Sequence, residues 1–237
     1  SVVISVMSRS IVPVKVGEKE MTAAREEILK SVRDALGRRP GAPVPPLPAT
    51  ARVGPRTAGA LDAEIELLLS EIRKLSGVTR QLANPEDLRP ALAELVAAEG
   101  VKRATVWSTP DLAAWGVPAM LTALGVALVS PQADKHAIAE CELGVTGADG
   151  LLPETGTLLL HSDAERPRVV SLLPRVHLAI TTPGRLMADL HSAFAAAKDA
   201  SYSVLVTGPS RTADIELTLT LGVHGPKALY VWLLATP

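Results

Sequence analysis

The sequence predicts an α/β protein: an open, mostly parallel sheet flanked by helices, with an N-terminal helical extension. Three observations predict it. Short apolar runs recur through the C-terminal half without clean alternation, which is how strands buried on both faces read. Helical segments or breakers lie between several of them, and strand–helix alternation is the pattern of a parallel sheet. The composition, 47% hydrophobic and 21% charged over 237 residues, supplies a core large enough for such a sheet.

Taken in order, residues 1–20 are expected to be a non-native or disordered extension, because MTAAREEILKSVRDALG from Met21 is a more ordinary N-terminus. Residues 21–60 read as a helix plus a linker. Ile28, Leu29, Val32 and Leu36 share one face of a helix over Met21–Leu36, with Gly37 as its stop. Prolines at 40, 43, 45, 46, 48 and 55 then enforce an extended chain. Residues 61–237 form the main α/β domain. Leu61, Ile65, Leu68, Leu69, Ile72 and Leu75 recur at helical spacing. Asn84-Pro85 is an N-cap with proline at the first helical position, opening a helix to about Glu99. Arg103–Trp107 is a strand, followed by a helix to about Gly125, a buried strand Val126–Ser130 and a helix over His136–Cys141. Thr157–His161, Val169–Leu172, Leu178–Thr181 and Val204–Thr207 are read as buried strands, with a helix at Arg185–Ala197. Ile215–Leu221 alternates as a half-exposed strand, and Leu229–Leu234 is the last strand.

Composition excludes several functions. A net charge of −1 provides no field to gather nucleic acid or an anionic membrane. Aromatics are 3% and not spaced as a base-stacking platform. The one cysteine, Cys141, cannot form a disulfide, a cysteine zinc site or a self-contained iron–sulfur cluster within the chain. It suits a reducing compartment, and a cytoplasmic location is expected. The uncharged stretch Leu112–Ala133 is long enough for a membrane span but is broken by Gly116, Pro118 and Gly125. No phosphate-loop, dinucleotide, nucleophile-elbow or zinc-helix motif is present, and the five histidines have no metal-ligand spacing. Gly144, Gly147 and Gly150 read as turns around a strand end.

Two segments could hold a ligand. In GVTGADGLLPETGTLLL (Gly144–Leu160), hydroxyls and glycines crowd around Glu154. Thr155, Gly156 and Thr157 could offer hydroxyls and backbone N–H groups to an anion. The alternative is a tight turn feeding a buried strand. In TGPSRTADIE (Thr207–Glu216), Gly208, Ser210, Arg211 and Thr212 resemble an anion site at a helix or turn N-terminus beyond a strand end. Asp214 could instead hold Arg211 in an internal ion pair. The two loops are expected to meet in space.

These segments, with Arg168, Ser171–Pro174, His177–Ile180 and LGVHGP (Leu221–Pro226), resemble the LUD domain family, and more narrowly its lactate utilization protein C branch. The resemblance runs from Met21 to Leu234 and is most specific over Glu140–Pro226. It implies a fold similar to the glucosamine-phosphate isomerase, ribose-phosphate isomerase and CoA-transferase group. It also implies a part in oxidising L-lactate to pyruvate with partner proteins, one bearing iron–sulfur clusters that this chain lacks; the Glu154 and Arg211 loops are expected to bind a small anionic substrate or a partner. Glu154 and His224 are the candidate catalytic residues. An independent isomerase or acyl- or CoA-transfer enzyme, with Glu154 as base or nucleophile and Arg211 as clamp, is one alternative. A non-catalytic scaffold is another.

Overall fold

The computed structural model describes residues 18–37, 54–198, 200–212, 220–222 and 224–235. The chain divides into two units, Ser1–Val53 and Gly54–Pro237. In the first, Glu18–Ala35 forms helix α1, covering the helix expected there.

The second unit begins with α2 (Leu61–Lys74) and strand β1 (Val78–Leu82), then α3 (Leu88–Glu99) and β2 (Arg103–Val106). Next come α4 (Pro110–Ala114), α5 (Val117–Ala123), β3 (Ala127–Val129), α6 (Lys135–Ala139) and β4 (Leu143–Thr146). β5 (Gly150–Leu152), β6 (Thr157–Ser162), α7 (Val169–Leu172) and β7 (Val176–Thr181) follow. α8 (Leu190–Ala197), β8 (Tyr202–Val206), β9 (Arg211–Thr212), β10 (Thr220–Leu221) and β11 (Ala228–Leu234) complete it.

Six strands form one sheet in the order β1-β11-β7-β4-β2-β3, every pair parallel, so the open parallel sheet is present. Its central strands β4 and β7 are buried at every position, as continuous apolar runs require. α2 and α3 bury Leu68, Leu69, Ile72, Leu88, Leu92 and Leu95 in one core with the sheet. The Asn84 cap is a capping box, Asp87 accepting from the Ala83 and Asn84 N–H groups at 3.1 and 3.0 Å.

Several expected elements differ. Val169–Leu172 is a helix, not a strand: Pro167 and Pro174 bracket a run too short to tell strand from helix by pattern. Thr157–His161 and Val204–Thr207 leave the parallel sheet for a separate antiparallel one, β5-β6-β8, whose β8 is largely half-exposed. The expected buried strand Val126–Ser130 is β3, an edge strand with Ala127 and Leu128 exposed. Gly116, in a left-handed conformation, splits the helix before it into α4 and α5. Arg185–Ala197 is not one helix: a 3₁₀ turn at Pro183–Arg185 precedes α8, which Asp189 caps by accepting from Ser192 N–H at 2.8 Å. Gly144 and Gly150 lie inside strands rather than in turns. β1, β4 and β5 were not anticipated. Most of Ile215–Leu221 lies outside the described residues; only Thr220–Leu221 is seen, paired with β9.

A knot of charge that the sequence did not advertise pins the start of this unit. Arg56 donates from its guanidinium to both Glu64 oxygens (2.7 and 2.9 Å) and to the Ala188 carbonyl (3.0 Å), while its backbone N–H meets Asp189 (2.9 Å). Gly59 N–H adds a bond to Glu64 at 2.6 Å. These contacts hold the Glu64 carboxyl below the usual carboxylate range, the Arg56 hydrogen bond most and the Gly59 N–H next. A chain starting at Gly54 keeps all of these contacts. One starting at Leu61 loses Arg56, leaves Glu64 unpaired in a site only 5% exposed, and should melt lower. Equal melting of the two truncations would show that the knot contributes nothing.

Candidate functional site

The two motif loops meet. The Thr157 hydroxyl bonds that of Thr207 at 2.7 Å across a separation of 50 residues, and the Thr155 hydroxyl bonds Thr157 at 2.7 Å. Both loops seat on the C-terminal half of α2. Gly156, with φ of +59°, brings its backbone so close that a Cβ would lie 2.7 Å from the Ile72 nitrogen. Gly208 packs against Leu75 in the same way, at 3.1 Å.

Glu154 and Arg211 are not brought to one point. The Glu154 carboxylate sits 3.3 Å from Arg56 Nε, on the rim of a cavity of about 250 Å³ that Thr155, Thr157 and Thr207 also line. The Arg211 guanidinium has different partners. It donates to the Leu75 carbonyl and, at 3.1 Å, to the Ser76 hydroxyl, and so caps the C-terminus of α2. Arg211 and Thr212 form strand β9, so no helix begins there, and Asp214 lies outside the described residues. β8, which leads into the loop, belongs to the antiparallel sheet, so the strand-end argument made for this segment does not apply. Arg211→Ala should reduce stability by about 1 kcal/mol, the scale of one net hydrogen bond, with anion affinity unchanged. Denaturant melts beside anion titrations check it, and weakened anion binding at constant stability would return Arg211 to a ligand role.

Four of the motif segments do converge, on a second cavity of about 200 Å³. Ser171 and Leu172 come from α7, His177 from β7, Thr207–Ser210 from the loop after β8, and His224–Pro226 from the turn before β11. Leu205 and Thr207 border both cavities, so β8 is their common wall. A Cβ on Gly225 would lie 3.2 Å from that of Ser210, and Ser210 N–H donates to the Pro226 carbonyl at 2.9 Å, which joins the two loops. His224 is exposed at this cavity, whereas His177 is 1% exposed. The fifth motif segment provides its partner: Thr146 Oγ1 lies 2.8 Å from His177 Nε2. Burial pushes His177 down to about 4, so its imidazole is neutral near pH 7. A neutral imidazole can donate with one nitrogen and accept with the other, and here Thr146 engages one of them. By sequence alone His177 reads as a capping or core histidine within a motif and not as a ligand group. A histidine inside an apolar strand run was the available signal. Among the described residues no group of three or more His, Cys, Asp or Glu is placed to hold a metal.

Comparison with known proteins bears on the whole second unit. The LUD domain matches residues 65–234, which contain the parallel sheet from β1 to β11 and every cavity-lining motif. The chain is 30% identical over 226 residues to a lactate utilization protein C of Shouchella clausii, covering 89% of this chain and 98% of that protein. It is 26% identical to one of Halalkalibacterium halodurans over the same shares. A crystal structure of a DUF162 family protein from Deinococcus radiodurans superposes with a TM-score of 0.55 at 17% identity, covering 75% of this chain and 99% of that one. That structure supports the fold, and the sequence matches extend through the segments that build the cavities. The chain therefore belongs to the LUD domain family.

Proposed function

We propose that this chain is a component of an L-lactate utilization system and that it binds a small carboxylate, L-lactate or pyruvate, in the His177–His224 cavity. The observation that carries the reading is the convergence of four motif segments on one small cavity, in a chain similar along most of its length to proteins named lactate utilization protein C. The volume of about 200 Å³ lies below that of drug-sized sites and suits a three-carbon acid. His177 and Ser210 offer hydrogen bonds inside, and His224 faces the carboxylate at the mouth. Oxidation of lactate releases two electrons, and with one cysteine this chain cannot assemble a cluster alone. The electrons pass instead to a partner protein bearing iron–sulfur clusters, in the cytoplasm. No helix among the described residues is long and apolar enough to cross a membrane. The pairing of Glu154 with Arg56 gives no support to a base or nucleophile there, which disfavours the transferase alternative.

Titration calorimetry with L-lactate, D-lactate and pyruvate tests the site. The wild type should bind one of the L-lactate/pyruvate pair. His224→Asn should weaken that binding about tenfold, the worth of one hydrogen bond to a charged group, without moving the melting temperature. Co-purification with a cluster-bearing protein and loss of growth on L-lactate after gene deletion test the wider reading. Normal growth on L-lactate in the deletion strain would overturn it.

A further inference from the structure

The motif cavity leaves the carboxyl end of the parallel sheet unused. The chain leaves β2 for β3 on one side and comes back to β4 on the other, so the strand order reverses at the β2–β4 boundary. Open parallel sheets bind ligands outside such a boundary. Here the loops after β2, β4 and β7 enclose a crevice of about 370 Å³. Ser108, Thr182, Asp111 and Arg185 line it with hydroxyls and charge. One wall, Trp107–Pro110, is shared with a second compartment of about 540 Å³, lined on its far side by Ala113, Pro118, Leu128, Val129 and Pro131.

We propose that this double compartment is a nucleotide-binding site. The apolar half takes the base, Asp111 accepts from the ribose hydroxyls, and Arg185 holds a phosphate. The two halves demand a ligand with a flat apolar part joined to a hydroxylated, anionic part, and both volumes far exceed a three-carbon acid. Carboxylates at strand ends are the usual acceptors of ribose hydroxyls in such sheets, and the guanidinium fork suits phosphate oxygens.

Of the other charges lining the crevice, the Glu165 carboxylate is exposed, while Arg166 and Asp149 are already committed. Arg166 donates to Asp149 at 2.7 Å and to Asp163 at 2.6 and 2.8 Å, and Asp149 also accepts from His161 N–H at 2.7 Å. Trp107 Nε1 donates to the Pro167 carbonyl at 3.0 Å. These bonds build a fixed wall. Asp111 and Arg185, by contrast, face each other at 3.6 Å with about half of each side chain exposed. An exposed pair at that distance contributes little and can open for a ligand.

Calorimetry on the full chain with AMP, adenosine, ribose 5-phosphate and inorganic phosphate tests the proposal. AMP should bind with a Kd below 1 mM, adenosine more weakly, and phosphate alone not measurably. R185Q should weaken AMP about tenfold and leave adenosine within twofold. L128D should weaken AMP and adenosine alike and spare ribose 5-phosphate. Both positions are exposed, and thermal melts confirm folding. On the unmodified protein, photolabelling with 8-azido-AMP should mark the peptide containing Leu128–Pro131, with no competition from L-lactate. Absence of saturable AMP binding, equal binding of phosphate alone, labelling elsewhere, or competition by L-lactate would each overturn the proposal. The lactate reading stands or falls separately, on the His224 titration.

Discussion

Gly144→Ala should cost at least about 3 kcal/mol, a large share of the stability of the α/β unit. An alanine Cβ at this position would sit 1.9 Å from the Val170 carbonyl oxygen and 3.0 Å from Pro174 Cγ. A methyl group has no rotamer to escape into, so either α7 or β4 must move. Overpacking typically costs about 1–3 kcal/mol, and contact with backbone belongs at the upper end or beyond. Domains of this size hold only about 5–15 kcal/mol in total. Gly147→Ala is the control from the same motif, because its new Cβ would meet nothing closer than 3.8 Å. Denaturant unfolding of both variants measures the difference. Equal losses would mean that α7 does not depend on this approach.

The second large effect is a loss of stability on mild acidification, set by His177. An unfolded histidine titrates near 6.5, whereas in the folded protein burial holds His177 at about 4. Between these values the unfolded chain binds a proton that the folded chain refuses. Stability is therefore complete above about pH 6.5 and falls as the pH drops toward 4, by up to about 3 kcal/mol. The cavity lining beside it contains one other titratable group, His224, and that side chain is exposed. Carboxylates act in a lower window: Asp189, held at about 2 mainly by the Ser192 N–H and hydroxyl, gives up its stabilisation only below its unfolded value near 4. Urea midpoints at pH 7, 6 and 5 separate the two. His177→Asn should flatten this limb while lowering stability at pH 7, since Thr146 loses its partner. A wild-type midpoint constant from pH 7 to pH 5 would show that His177 takes up its proton equally in the folded and unfolded chains.

If both results hold, the motif segments have two physical duties. Gly144, Gly156 and Gly208 allow close approach between elements. The Thr146–His177 bond ties β4 to β7 within the parallel sheet, and the Thr157–Thr207 bond ties β6 to the end of β8 within the antiparallel one.

Local pattern determined what depends on neighbours along the chain. The spacing of Leu68, Leu69 and Ile72 specified α2, Asn84-Pro85 specified the start of the following helical segment, and the uninterrupted apolar run at Leu178–Ile180 specified a doubly buried strand. The motif order was enough to signal the family, whereas the two distant loops meet through a hydroxyl contact and not through the strand ends of the parallel sheet. Tertiary structure alone decided which sheet each strand joins. Val204–Val206 and Leu178–Ile180 are similar apolar runs, yet one pairs antiparallel with β6 and the other parallel with β4 and β11. Pairing is a choice among partners far away in the chain, and a few residues of β-rich sequence do not encode it. The same holds for the site. Whether Arg211 meets an anion, Asp214 or the end of a helix depends on what the fold places opposite it, and the fold placed Leu75. Whether His177 is a surface or a buried imidazole depends on what the fold packs around β7 rather than on its own flanking residues.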